Sequence, residues 1–267
     1  MDLPIYQIDA FTDRAFAGNP AAVLPLDDWL PDAQLQQIAA ENNLAETAFF
    51  VRKGDQFHIR WFTPTVEVDL CGHATLASAY VISSFLEPDR REMAFDSRSG
   101  ELRVNRDGDR FILDFPVLPV TEANERLSAV AGCFDRRPVS VYKNDTYIAY
   151  VAIFDRAEDI RAITPDFAAL GRLEKDVIVT APGDVTIGSD IDFVSRFFAP
   201  NHGIPEDPVT GSAHCLLAHY WAGQLGKTTF YARQISARGG DLWVELKGDR
   251  VLIAGRGVCV LKGIMSI

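Results

Sequence analysis

Two stretches of the chain are apolar nearly all the way round a helix. One follows His73 (ATLASAYVI) and the other follows Ser212 (AHCLLAHYW). A helix with no polar face has to be buried on every side, so both are predicted core helices. Around them the pattern shortens to strand-like alternation. YQIDAF, AAVL, TAFFVRK and FHIRWF read as strands in the first part of the chain. Between them Pro31 opens an amphipathic helix that turns Leu35, Ile38 and Ala39 inward. Several strands and one fully buried helix in each half predict an α+β protein in which a sheet curls around a central helix.

The pattern also repeats. RSGELRVNRDGDRFIL (Arg98 to Leu113) aligns without a gap on RGGDLWVELKGDRVLI (Arg238 to Ile253), and each copy reads as a β-hairpin. Upstream, FHIRWFTP (Phe57 to Pro64) aligns on FVSRFFAP (Phe193 to Pro200). Each is followed by a loop, three residues longer in the second copy, and then a polar cluster: EVDLCGHA and EDPVTGSA. Glu67 thereby pairs with Glu206, Cys71 with Thr210, Gly72 with Gly211, His73 with Ser212 and Ala74 with Ala213. Three matches in one order predict a duplicated domain. The halves fall at residues 1–116 and 117–255, with DFPVLPVTE (Asp114 to Glu122) crossing between them. The last strand, 256–267, is a candidate to complete the first half.

The duplication gives the polar clusters a physical reading. Gly72 and Gly211 are expected to mark sharp turns into the buried helices, whose first backbone N–H groups have no intrahelical partner. Those donors, with the positive end of the helix dipole, suit an anion. In a pseudo-two-fold molecule the two helix starts can face one another across the cleft between halves and hold a small carboxylic acid there. The plainer alternative makes Ser212 and Thr210 N-caps, Asp207 an acidic residue favouring a helix start, and His73 a satisfied polar side chain. Capping and catalysis can coexist.

Composition narrows the classes. The 267 residues are 48% hydrophobic and 24% charged, typical of a soluble globular protein. There is no apolar run of about 20 residues to span a bilayer, and MDLPIYQIDAF lacks the parts of a signal peptide. Cys71, Cys133, Cys215 and Cys259 form no CxxC pair, so a reduced, cytoplasmic protein is expected. A net charge of −11 disfavours nucleic-acid binding but leaves room for a small anionic substrate at a local site.

GNPAAV (Gly18 to Val23), LAETAFF (Leu44 to Phe50), RWFTPTVEVDLCGHATLASA (Arg60 to Ala79), EDPVTGSAH (Glu206 to His214) and RGGDL (Arg238 to Leu242) together resemble the phenazine-biosynthesis isomerase (PhzF-like) family, over almost the whole chain. The resemblance implies the diaminopimelate epimerase-like α+β fold, with two pseudo-symmetric domains, and a homodimer using neither metal nor organic cofactor. It implies an isomerase in which a glutamate shuttles a proton between two carbons of a small carboxylic acid, as in dihydro-hydroxyanthranilate. The motif places that glutamate at Glu46, with His73, Asp207 and Ser212 as assisting, substrate-positioning catalytic residues. Gly18, Asn19, Gly72, Ala74, Thr210, Gly211, Arg238, Gly239 and Gly240 are the implied substrate-binding positions; Arg238 to Gly240 also read as a turn leading into a strand. A desolvated carboxylate suits such acid–base work. The second half shows no clear counterpart of Glu46: LEKDVIV offers Glu174 or Lys175, depending on alignment.

Rival readings remain. A one-cysteine epimerase, racemase or dehydratase of a proline-like amino acid would use Cys71, although Thr210 in the second half breaks a two-thiol mechanism. A zinc hydrolase is disfavoured because His214 and His219 are five apart and do not share a helix face. A Ser-His-Asp hydrolase from Ser212, His73 and Asp207 lacks the GxSxG elbow. A non-catalytic binder of small acids is the remaining class.

Overall fold

The computed structural model describes every residue except Ile148. Two compact units divide the chain: Met1–Asp114 together with Ala254–Ile267, and Phe115–Ile253.

The first unit runs β1 (Asp2–Ala10), β2 (Asn19–Leu26), α1 (Asp32–Asn42), β3 (Glu46–Lys53), β4 (Gln56–Phe62), the short β5 (Glu67–Val68), α2 (Gly72–Val81), β6 (Glu92–Ser97), β7 (Gly100–Asp107) and β8 (Arg110–Pro116). β1 and β2 are antiparallel, β2 and β3 parallel, β3 and β4 antiparallel, β4 and β6 parallel, and β6, β7 and β8 antiparallel. Parallel neighbours cannot be joined by a tight turn and need a crossover. α1 supplies the crossover between β2 and β3, and α2 the one between β4 and β6.

The second unit runs β9 (Thr121–Glu122), α3 (Leu127–Ala131), β10 (Ser140–Asn144), β11 (Ala149–Ile153), α4 (Ala157–Ala162), α5 (Phe167–Leu170), β12 (Asp176–Pro182), β13 (Phe193–Ala199), β14 (Ile204–Asp207), α6 (Ala213–Leu225), β15 (Thr229–Gln234), β16 (Gly240–Lys247) and β17 (Arg250–Gly255). Its pairings repeat those of the first unit in order: β10–β11 antiparallel, β11–β12 parallel, β12–β13 antiparallel, β13–β15 parallel, β15–β16 antiparallel. The chain then returns to the first unit as β18 (Gly257–Ser266), antiparallel to β1, with a register shift between Gln7 and Ile8.

Both apolar helices are in the core. In α2 every residue from His73 to Ala79 is buried, and in α6 every residue from Ala213 to Ala218. The few polar side chains of α2 are accommodated by returning to the helix itself: Thr75 Oγ1 donates to the Cys71 carbonyl at 2.6 Å and Ser78 Oγ to that of Ala74 at 2.8 Å. Gly226, in the left-handed region at φ 64°, ends α6. α1 begins at Asp32, one residue after Pro31, and its Leu35, Ile38 and Ala39 pack with Leu24, Phe49 and Phe62. No helix among the described residues is long and apolar enough to cross a membrane.

Candidate active site

In the first unit, three neighbouring elements converge on His73. Gly18 starts the approach: its φ of +64° suits glycine, and a Cβ there would meet the Ala10 carbonyl at 2.1 Å. This close passage delivers Asn19, fully buried at the start of β2, and its Nδ2 donates to Nδ1 of His73 at 3.2 Å. Burial pulls the His73 pKa down to about 3, so the ring is neutral near pH 7. A neutral ring whose Nδ1 accepts carries its proton on Nε2. That atom lies 3.2 Å from Oε2 of Glu46, the first residue of β3. The distance suits a hydrogen bond but the direction does not in this conformation. With the ring neutral, the contact is a close polar approach rather than an ion pair. Cys71, immediately before α2, places Sγ 3.5 Å from His73 Nδ1. One donor atom each from Glu46, Cys71 and His73 lie within 4.8 Å of one another, a set that could hold a metal ion.

In the second unit the cluster is made of oxygens. Thr210 Oγ1 donates to Asp207 Oδ2 at 2.5 Å. Ser212 Oγ is 2.9 Å from the hydroxyl of Tyr147. Gln234, fully buried at the end of β15, ties the segment down: it accepts from the Thr210 N–H at 2.9 Å and donates to the Asp207 carbonyl at 2.7 Å. Ser236 Oγ donates to the Pro208 carbonyl at 2.7 Å and accepts from the Gly239 N–H at 3.1 Å. The Arg238–Gly240 turn, with Gly239 at φ +65°, is thus tied to the segment that follows Asp207. Burial pushes the Tyr147 phenol well above its ordinary pKa, with the Ser212 bond acting the other way. Tyr147 and Gln234 were not singled out from the sequence, where an isolated Tyr and an isolated Gln carry no signal.

Some expectations are corrected. Gly211 lies in the turn that leads into α6, and neither it nor Gly72 needs a positive φ. Gly72 is already the first residue of α2, and Ser212 after Gly211 has helical backbone angles, φ −61° and ψ −30°. Nor does capping explain the polar residues: no side chain caps α2 or α6 among the described residues. Ser212 turns to Tyr147 and Thr210 to Asp207 instead. The side chains of Ala74 and Ala213 are buried. His214 and His219 go separate ways, Nδ1 of the first to the Thr210 carbonyl at 2.8 Å and Nδ1 of the second accepting from the Val120 N–H at 3.3 Å.

The largest correction concerns the counterpart of Glu46. β4 and β13 are the aligned strands, with Phe62 matching Phe198. Phe62 pairs with Thr47, and Phe198 with Val177. The residue equivalent to Glu46 is therefore Asp176, not Glu174 or Lys175. Glu46 pairs with Ala21 and Asp176 with Ala149, which makes Asn19 the equivalent of Tyr147. Asp176 is buried, its carboxyl raised by desolvation against the opposing influence of His202, whose Nδ1 is 3.4 Å away.

The fold is shared with a solved structure of very different sequence. A hydroxyproline epimerase from Agrobacterium vitis superposes with a TM-score of 0.59 at 11% identity, over 99% of this chain and 91% of the epimerase. The architecture is thus the α+β, epimerase-like one. Within it, residues 8–263 match the phenazine biosynthesis-like protein family, PhzC-PhzF. An uncharacterized isomerase of Pseudomonas aeruginosa is 50% identical over 264 residues, 98% of each chain. The crystal structure of a PhzF-family phenazine biosynthesis protein from Enterococcus faecalis matches with a TM-score of 0.93 at 42% identity, over 100% of both chains. The chain belongs to the phenazine biosynthesis-like (PhzF) family of isomerases.

Proposed function

We propose that the chain is a cofactor-independent isomerase that moves a proton between two carbons of a small carboxylic acid, dihydro-hydroxyanthranilate-like or derived from an amino acid. Glu46 is the acid–base group. Its carboxylate takes a proton from one carbon, and the resulting carboxylic acid, whose proton exchanges with solvent, protonates another carbon of the same molecule, leaving the enzyme unchanged. The observation that carries the reading is the approach of Glu46 Oε2 to Nε2 of a neutral, Asn19-held His73 at 3.2 Å. A ring N–H at that atom can steady the carboxylate while it is charged and tolerate it when protonated, without itself changing state. Asp207, Thr210 and Ser212 assist and position the substrate, helped by backbone N–H groups at the helix starts. The functional protein in this reading is a homodimer.

Deuterium uptake from heavy water by a panel of candidate acids, including dihydro-hydroxyanthranilate and proline derivatives, tests the reading by mass spectrometry. Uptake that vanishes in Glu46→Gln and survives Cys71→Ala supports it. Light scattering at twice the 29.5 kDa chain mass supports the dimer.

A second reading has its own observation. Cys71 Sγ stands 3.5 Å from His73 Nδ1 at the start of α2, where a thiolate is favoured. A one-cysteine epimerase or dehydratase of a proline-like acid would use that thiol, and uptake would then depend on Cys71. No uptake from any compound would instead move weight to a non-catalytic binder.

A further inference from the structure

We propose that Glu46, Cys71 and His73 form a binding site for a zinc-type divalent cation, and that its occupation switches the site off. The switching-off rests on the role of Glu46 proposed above; the binding stands on the donor set alone.

The three residues offer a thiol sulfur, an imidazole nitrogen and a carboxylate oxygen, the ligand types zinc prefers, within 4.8 Å of one another. Tetrahedral bonds of ~2.0–2.3 Å set ligands about 3.5 Å apart, so the trio has to close by about 1 Å. The equivalent positions of the second unit, Asp176, Thr210 and Ser212, offer only oxygen. No other group of three such donors lies close together among the described residues. Burial pushes the Cys215 thiol up to about 12 and also raises Cys133, which makes both poor competitors for the ion.

Binding requires deprotonated ligands. The Cys71 proton leaves to solvent as the metal–sulfur bond forms, with no change of oxidation state. Thiolate and carboxylate together cancel the two charges of the cation. With a metal bound, the Glu46 oxygen is committed to the ion and cannot take a substrate proton.

Cobalt(II) titration of the intact protein tests the site without any substrate, through the thiolate-to-metal charge-transfer band. One equivalent of cobalt should give the band in the wild type and in Cys259→Ser, which alters the half-buried thiol. The band should be absent in Cys71→Ser. Glu46→Gln and His73→Gln should weaken cobalt binding by more than about 10-fold, since even outer-shell losses cost that much. Zinc should displace the cobalt. Far-UV circular dichroism checks that each variant is folded; if Cys71→Ser is not, the other two ligand variants decide. No band in the wild type, or a band that persists in Cys71→Ser and vanishes in Cys259→Ser, overturns the proposal. Glu46-dependent deuterium uptake in chelator-treated buffer, with no cobalt band, would leave the isomerase reading standing and the metal site refuted.

Discussion

The two helix starts are built on one plan and furnished differently. Each sits beside a short strand whose glutamate grips an arginine of the preceding long strand. Arg60 donates to both oxygens of Glu67 at 2.7 and 2.8 Å, and Arg196 to both oxygens of Glu206 at 2.7 and 2.9 Å. In each unit a residue two positions before the aligned strand pair reaches the helix start: Asn19 to His73, and Tyr147 to Ser212. Beyond that frame the chemistry parts. The first unit sets Glu46, Cys71 and a neutral His73 together; the second joins Asp207 to Thr210 and Ser212 to Tyr147 through oxygens, while Asp176 lies beside His202. The two units share the clamps that hold the backbone and differ in the polar groups at the helix starts.

The largest expected effect separates Glu46 from Asp176. Glu46→Gln should lower deuterium uptake by about 10²–10⁴-fold, the range for losing an acid–base group. Asp176→Asn should lower it by less than about 10-fold. Equal losses would mean that the second unit supplies a proton carrier as well, and the one-base reading would fall.

The clamps should behave alike. Glu67→Gln and Glu206→Gln each leave a largely buried guanidinium with a weaker partner, and each should cost about 2–4 kcal/mol in urea unfolding. The side chains involved are at most 20% exposed, so solvent screening is limited. Arg196 also donates to the carbonyls of Ile160 and Ile163, at 3.2 and 2.9 Å. Arg196→Ala should therefore cost more than Arg60→Ala, and the reverse order would argue against equivalent frames.

Acid should weaken the second unit through His214. Burial holds its pKa down to about 4, against an ordinary 6.5 in the unfolded chain. Between these values the unfolded state binds the extra proton, so stability is complete above about pH 6.5 and falls as pH drops towards 4. At pH 5 the loss is about 2 kcal/mol. Unfolding midpoints of wild type and His214→Gln, compared at pH 7.5 and pH 5, measure it: the variant should lose less on acidification. A parallel drop in both proteins would assign the acid sensitivity elsewhere.

The smallest effect is at Tyr147. Tyr147→Phe removes one hydroxyl bond to Ser212 and should cost about 0.5–1.5 kcal/mol of stability. A larger loss would show that the hydroxyl anchors more of the segment than this single contact.

Much of this was legible in the chain. The two all-apolar helices, the α1 face carrying Leu35 and Ile38, the β7–β8 hairpin and the pairing of Glu67 with Glu206 are local patterns, and local patterns follow from side-chain periodicity. Family membership was legible because its motifs lie in short unbroken runs. Glu46 and His73 were named from those runs, but their approach was not visible, since the two positions lie 27 apart along the chain. Gln234 was invisible for a related reason. Its significance comes from a buried amide that meets two backbone groups, and nothing in a sequence marks which glutamine will do so.

By itself, then, the sequence determined the two core helices, the strands and hairpins of the repeated stretches, their duplicated order, and the family. Tertiary structure decided which residues are equivalent and which ones meet. The reason is strand register. Asn19 and Glu46 are 27 residues apart while Tyr147 and Asp176 are 29 apart, so counting along the chain leads to Glu174. The pairings of Thr47 with Phe62 and of Val177 with Phe198 lead to Asp176. A slip of one residue would turn every side chain of a strand to the opposite face, and the buried faces of these sheets admit only one register. Packing across many residues selects that register, and with it the neighbours of each helix start.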